Sequence, residues 1–470
     1  MHRIIELDDL YEIRIRKATP SRVSRPIQPK HQTCLEWLNL ISSLYSFFYS
    51  AALAVGMLVT LPYWLFQMVR HGKYRKGLAE RLGRVPARLN LPRDGEPAIW
   101  VHAVSVGEVL AVTGLVKELQ RRSPQHRIFV STTTDTGQAL ARKRFGDPHV
   151  FYFPMDFAFA IRPYMRALHP QMIVIAETEF WPNFLRFARD SGARIVVVNA
   201  RISDRSWPSY RRFRRVLRRW LINVDLFLAQ TPEDAIRLQD IGAIPERVRV
   251  SGNLKFDIPA PDPPPIVDRL RRSIAQSSAD PVLVCGSTVD GEEPLLLRAF
   301  ENLRVQHTRA VMILAPRHPE RFLAVAGLLA QMSLQFWRRS LWNGEPLNGG
   351  VLLLDTIGEL AALYAIADVA FVGGSLVPRG GHNIIEPAQY GVATVVGNHT
   401  ENFRDIVGLF QSRGAVRIAG PAELPLVFME LLADDEKRRA LGQRAAETMR
   451  LQVGATSRTA EELQRLLVQP

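Results

Sequence analysis

Acidic and basic side chains in this sequence collect where short apolar runs end. The run Ile99-Trp-Val-His-Ala103 leads into Ser105-Val-Gly107-Glu108, and good helix formers follow to about Arg121. Glu108 therefore belongs to the first turn of a helix, at the carboxyl end of a strand. Such a carboxylate either complements the helix dipole, worth ~0.3–1 kcal/mol, or acts as a general base. The dipole would lower its pKa and weaken it as a base. Glu177 and Glu179 follow the apolar run 172–176 at the same edge. Two carboxylate sites converging on a cleft suit proton abstraction with electrostatic support.

The second half carries a different set. Gly286-Ser-Thr-Val-Asp-Gly291-Glu-Glu293 lies between a strand and a helix, so it is either an ordinary glycine turn or a phosphate cradle of backbone N–H groups. No Gly-Lys-Ser/Thr closes it, so it is not a P-loop. Arg317 and His318 put a cation beyond the run ending at Leu314. Paired glycines recur at Gly373-Gly-Ser375 and Gly380-Gly-His-Asn383-Ile-Ile-Glu386, with a helix expected from about Asn383. Glu386 could accept hydrogen bonds from ribose hydroxyls, or simply cap that helix. The sequence has no Asp-x-Asp, no Cys/His metal spacing and no Gly-x-Ser-x-Gly elbow. A transfer without a metal or cofactor, from a donor with a single phosphate, is thereby favoured.

Tyr210-Arg-Arg-Phe213-Arg-Arg-Val216-Leu217-Arg-Arg-Trp220-Leu221 reads as one basic amphipathic helix. It is either packed on a core with a solvated basic face, or in contact with anionic head groups and substrate phosphates through Arg211, Arg212 and Arg215. Arg201, Arg205 and Lys255 add charge to the same half. The net charge of +14 is uneven: +2 for residues 1–69, +14 for 70–258 and −2 for 259–470. The middle section should face an anion.

Elements that could position these residues are legible. Strands are expected at 98–103, 127–131, 172–176, 194–199 and 226–229, with helical patterns between them. Pro259-Ala-Pro-Asp-Pro-Pro-Pro265 is a stiff connector. Strands then resume at 281–285, 310–314, 351–355, 369–372 and 394–396. The expected fold is α/β, with two doubly wound parallel-sheet domains facing a cleft. Their expected ranges are 71–258 for the first, 259–266 for the linker and 267–470 for the second. Before them, residues 38–69 contain no Lys, Arg, Asp or Glu. That run exceeds the ~20 residues needed to span a bilayer, so residues 34–70 are expected to anchor the chain, across the membrane or in its plane. A buried core helix is the alternative. Tyr63 and Trp64 suit an interfacial belt, and Arg70, His71, Lys73, Arg75 and Lys76 follow. Residues 1–33 read as a polar extension. The two cysteines, Cys34 and Cys285, are too few for a disulfide framework and suit a reducing compartment.

Taken in order, these motifs resemble the Kdo transferases, which attach 3-deoxy-D-manno-octulosonic acid from CMP-Kdo to the lipid A precursor. The resemblance runs from about Lys73 to Glu430. It rests on Glu80-Arg-Leu-Gly83, His102 through Glu108, Glu177-Thr-Glu-Phe-Trp-Pro182 and Asn199-Ala-Arg201. Further matches are Gly252-Asn-Leu-Lys-Phe-Asp257, Pro316-Arg-His-Pro-Glu-Arg321 and Phe371 through Glu386. It implies a GT-B fold and an inverting, metal-independent glycosyl transfer to lipid IVA at the cytoplasmic face of the inner membrane. Glu108 would then be the general base, with Glu177 and Lys255 supporting the transition state. CMP would be held by Pro316 and Arg317, by Ile357, Gly358 and Glu359, and by Asn383, Ile384, Ile385 and Glu386. The basic first half, with Arg201, Arg211, Arg212 and Arg215, would meet the bisphosphorylated lipid or the anionic membrane surface. The residues before 34 have no counterpart in the compact start the resemblance implies.

Two rival readings make different demands. A GT-B enzyme for another nucleotide sugar would share the second half but not the first-half motifs. A nucleic-acid binder would explain the charge but not residues 38–69, and it would want aromatics interleaved with the basic side chains. No nucleic-acid partner is expected.

Overall fold

The computed structural model describes residues 29–71, 75–93 and 95–468. Residues 1–28 of the expected polar extension and Lys73 of the basic flank lie outside them. The chain divides into two compact units, Met1–Lys73 and Tyr74–Pro470. In the first, one helix runs Pro29–His71. Its Phe48–Arg70 portion, 23 residues, has a mean hydropathy of 1.6, and none of it is buried within the chain. At about 1.5 Å per residue such a helix reaches roughly 35 Å, against a hydrocarbon core of about 30 Å. By length and composition it could cross a membrane.

The second unit holds two parallel sheets of seven strands each. The first contains β1 (Ala98–His102), β2 (Arg127–Thr132), β3 (Val150–Tyr152), β4 (Pro170–Ala176), β5 (Arg194–Ala200), β6 (Leu226–Ala229) and β7 (Val248–Val250), in the order β3-β2-β1-β4-β5-β6-β7. The second contains β8 (Val282–Thr288), β9 (Val311–Pro316), β10 (Phe336–Arg338), β11 (Val351–Leu353), β12 (Val369–Val372), β13 (Ala393–Val396) and β14 (Arg417–Ile418), in the order β10-β11-β9-β8-β12-β13-β14. Strands buried on both faces must be apolar throughout. β1 and β12 obey this along their whole length, which is why ten strands are readable from sequence. The other four, β3, β7, β10 and β14, are the edge strands of the two sheets. At two or three residues each they are too short to show a period.

Helices cover both faces of each sheet. Trp100, Phe129, Phe151, Tyr164 and Phe184 fill one side of the first sheet, and Val101, Val112, Leu115 and Val174 fill the other. Chain order leaves the last helix, Ala455–Val468, with the second domain, but it packs on the first. Its Ala455, Ala460 and Leu463 join the core beside helix Val106–Arg122. The Asp257 carboxylate fastens the return by accepting the N–H groups of Gly454 (2.7 Å) and Thr456 at the start of that helix. The expected helix 210–221 is also two pieces, Trp207–Arg212 and Arg214–Leu221, broken at Phe213. Only one side finds a core: Leu217 and Leu221 are buried, while Phe213 stays exposed with Arg211, Arg212 and Arg215.

Candidate active site

The strand order reverses between β1 and β4 in the first sheet and between β8 and β12 in the second. Loops diverge at such a point and leave a crevice beyond the strand ends. The acidic residues expected there follow β1 and β4, and the two glycine-rich turns follow β8 and β12.

Glu108 sits in the first turn of helix Val106–Arg122, next to its N-cap Ser105. Its carboxylate folds back, accepting the Val104 N–H at 2.9 Å and the Ser105 hydroxyl at 3.0 Å. The expectation that the helix start lowers its pKa is overturned. Burial raises it to about 7, with a further contribution from the charge of Glu177, and these outweigh the two hydrogen bonds. A base titrating near neutrality combines availability with driving force.

Glu177 is held in the left-handed region, at φ 58°, with its N–H bonded to the Val198 carbonyl at 2.9 Å. A non-glycine residue rarely adopts this conformation, and such strain gathers at functional sites. Its carboxylate pairs with Lys255 Nζ at 3.0 Å. Burial raises the pKa of the neighbouring Glu179, and the charge of Glu177 adds to the effect.

Lys255 is placed by the rest of its motif. Gly252 adopts φ 94°, where an added Cβ would lie 2.8 Å from Arg458. The Asn253 side chain caps the Lys255 N–H at 3.0 Å, and Asn199 Oδ1 accepts the Leu254 N–H at 2.9 Å. The next residue, Phe256, leaves the first domain and enters the core of the second, among Val372, Ile384, Ile385 and Phe410. One residue thus separates the ion-paired lysine from the residues expected to hold a nucleotide.

In the second domain, the turn 286–293 sends an acid across to the loop after β12. The buried Glu292 carboxylate accepts N–H groups from Gly374 (2.7 Å), Ser375 (2.9 Å), Leu376 (2.8 Å) and Val289 (3.0 Å). The Glu292 carboxyl group thus fills the nest of Gly374, Ser375 and Leu376 and staples the loop after β8 to the loop after β12. The space left for Gly373 is small: an added Cβ would meet the Ser287 carbonyl at 2.6 Å. Glu293, also buried, pairs with Arg321 at 3.1 Å.

The remaining expected groups surround this staple. Pro316 is buried at the end of β9, and Arg317 is exposed, its N–H bonded to the Thr288 carbonyl at 2.8 Å. Arg317 lies near enough to His382 and Glu386 to act on both charges. Burial lowers the His382 pKa to about 4, with Arg317 adding to the effect. Burial raises that of Glu386, and the Asn383 side chain, which donates to it at 3.3 Å, and Arg317 hold it back. Glu386 lies in the first turn of a helix, Ile385–Gln389, that starts slightly later than expected, and Asn383 Oδ1 accepts the Ile385 N–H at 3.2 Å. Ile357 is 78% exposed beside Gly358, at φ 91°, where an added side chain would meet nothing. Glu359 is tied to Arg339 at 2.8 Å and to the Thr356 hydroxyl.

Of the four arginines expected to meet lipid, Arg211, Arg212 and Arg215 project into solvent, Arg211 lying over the Trp207 ring at 5.5 Å. Arg201 does not. Its guanidinium reaches the second domain, donating to the Asn402 carbonyl at 2.9 Å and pairing with Asp405 at 3.4 Å. Sequence reasoning passed over Ser105, Phe256, Glu292, Asn402 and Asp405 as functional groups. For the first three the signal was a place inside a motif already singled out; Asn402 and Asp405 carried none. Among the described residues no cluster of His, Cys, Asp or Glu could hold a metal ion.

Residues 76–258 match the family described as 3-deoxy-D-manno-octulosonic-acid transferase (kdotransferase), and residues 294–448 match glycosyl transferases group 1. The 3-deoxy-D-manno-octulosonic acid transferase of Haemophilus influenzae is 34% identical over 424 residues, 89% of this chain and 98% of that one. The C-terminal CMP-Kdo binding domain of WaaA from Acinetobacter baumannii is 34% identical, covering 39% of this chain and 97% of that one at a TM-score of 0.37. The UDP co-structure of S. aureus MnaA shares the fold, with a TM-score of 0.53 at 15% identity over 79% of this chain and 97% of that one.

Proposed function

The chain belongs to the 3-deoxy-D-manno-octulosonic acid (Kdo) transferase family, and from that premise we propose an inverting, metal-independent transfer of Kdo from CMP-Kdo to lipid IVA. Membership makes it a GT-B glycosyltransferase of lipopolysaccharide biosynthesis. The observation that carries the finer reading is the buried Glu108 carboxylate, at a pKa of about 7, beside a Glu177 already paired with Lys255.

In this mechanism an acceptor hydroxyl oxygen attacks the anomeric carbon of Kdo from the side opposite CMP. Its proton passes to Glu108 as the new C–O bond forms. The bond from the anomeric carbon to the CMP phosphate oxygen breaks, and CMP leaves with the electron pair, its added charge facing Arg317. Glu177, paired with Lys255, places a carboxylate where positive character develops on the sugar ring. Asn383 through Glu386, Pro316 and Ile357 through Glu359 hold the nucleoside. The excess charge of residues 70–258, with Arg211, Arg212 and Arg215 exposed, suits the phosphates of the acceptor and of the membrane in which it lies. The Phe48–Arg70 helix would keep the enzyme at the inner membrane with both α/β domains in the cytoplasm.

The test is direct. The protein is incubated with CMP-Kdo and lipid IVA in the presence of a chelator, and the lipid product is weighed. A mass gain of one or more Kdo residues, with CMP released and the anomeric configuration inverted, is expected. An unmodified lipid, or one glycosylated only when a divalent cation is restored, contradicts the proposal.

A further inference from the structure

The last residues of β5 and the loop after it are bonded to parts of the candidate site that lie in different domains. On one side Asn199 fixes the Leu254 N–H, next to Lys255. On the other, Arg201 donates to the Asn402 carbonyl and pairs with Asp405, its side chain only 21% exposed. Asn402 passes the contact on. Its N–H donates to the Gly380 carbonyl at 2.8 Å, and its side-chain amide donates to the Arg379 carbonyl at 3.0 Å. The fit there is close: a Cβ on Gly380 would lie 2.3 Å from Asn402 Nδ2. Gly381 in turn bonds to the Gly374 carbonyl at 2.7 Å, in the loop stapled by Glu292.

A second bridge lies alongside. Arg404 pairs with Asp204, and with Glu233 at 3.7 Å. These two acids are held on the first domain by the nearly buried Arg237, which also donates to the Ile202 carbonyl at 2.7 Å. The first-domain surface is therefore prepared for residues 402–405 of the second, with cations and anions alternating across the boundary.

We propose that Arg201 is a positioning residue for the donor. It holds the closed arrangement of the two domains and, through Asn402, the Gly380–Gly381 turn that leads into Asn383 and Glu386. This rests on the nucleotide reading of those residues and adds that the acceptor domain sets their affinity. Two domains joined by a modest polar interface move relative to one another unless something holds them. A ligand that needs the closed form binds more weakly in proportion to the closed fraction lost.

The test uses the full chain, with CMP as the probe. Wild type, Arg201→Ala, Arg201→Asp and the exchange Arg201→Asp/Asp405→Arg are compared by calorimetry, by small-angle scattering in detergent and by sedimentation with anionic phospholipid vesicles. Arg201→Ala is expected to weaken CMP about 3–10-fold, the loss of a partly buried charged contact, and to raise the radius of gyration. Arg201→Asp should lose more, the exchange should recover most of the loss, and vesicle binding should not change. Arg317→Ala is the reference, expected to lose CMP with no change in scattering. If Arg317→Ala binds CMP as wild type does, the nucleotide reading fails, while scattering and the exchange still judge the bridge. Unchanged scattering in Arg201→Asp overturns the proposal. So does a defect that the exchange leaves unrepaired while vesicle binding falls, because Arg201 would then be a membrane contact.

Discussion

Glu108 draws its chemistry from three named neighbours. The Val104 N–H and Ser105 hydroxyl stabilise its charge, whereas burial and Glu177 oppose it, and the second pair wins. Glu108→Gln keeps the shape but cannot take a proton, so turnover should fall ~10²–10⁴-fold in the lipid assay, the usual worth of a positioned base. In wild type kcat/KM should climb about tenfold per pH unit and level off near pH 7, since only the ionised form is active. Glu177→Gln removes a charge that raises this pKa, so any residual activity should show its acid limb at lower pH. Stability carries the same signature with a definite sign. The folded pKa lies above the ordinary value of 4.5, so the folded chain binds the extra proton between the two. The associated stability is full below pH 4.5 and is lost as pH rises through about 7. Glu108→Gln should therefore unfold at higher denaturant than wild type at pH 8, by up to about 3 kcal/mol, with the gap narrowing towards pH 5. No gap at pH 8 would count against a buried, destabilised carboxylate.

Loops rather than strands decide how the second domain presents itself. The paired glycines after β12 invite a close ligand, yet the N–H groups of Gly374, Ser375 and Leu376 are taken by Glu292, which also holds Val289 of the turn after β8. Glu292→Ala would leave these donors buried and without an acceptor, at about 1–3 kcal/mol each where water cannot enter. Loss of several kcal/mol in urea unfolding is expected, together with weaker CMP binding. Glu292→Gln retains one good acceptor oxygen and should lose less. Equal stability of Glu292→Ala and wild type would mean that the staple is dispensable. The helix Ala455–Val468 depends on a cap of the same kind supplied from a distance. Asp257→Ala should cost about 1 kcal/mol and loosen the return of the chain to the first domain.

For the whole molecule, charge and hydropathy divide the labour. The apolar helix lies in a unit of its own, Met1–Lys73, so its removal should leave the α/β unit folded. Deleting residues 1–69 should release the protein from membranes or weaken its retention, with the circular dichroism of the remainder unchanged. The basic face of residues 70–258 should then make the residual binding depend on salt. Retention as complete as that of the intact chain, at every ionic strength, would show that the helix is not the anchor.

Much of this was legible in one dimension because it depends on local pattern. Parallel strands buried on both faces must be continuous apolar runs, so the α/β class and ten strands could be read. Residues that follow such runs lie at the carboxyl edge of a sheet, so Glu108, Glu177, Arg317 and Asn383 through Glu386 could be found by position. The edge strands escaped because two or three residues carry no period. What only the tertiary structure decided depends on groups distant in sequence: the direction of the Glu108 shift, the carboxylate in the glycine nest, the return of the last helix and the reach of Arg201. A helix start by itself predicts a lowered carboxylate pKa, and a glycine-rich turn by itself predicts an open anion site. Desolvation and a neighbouring charge reverse the first, and a carboxylate from another turn fills the second. Both reversals arise only when the chain has packed.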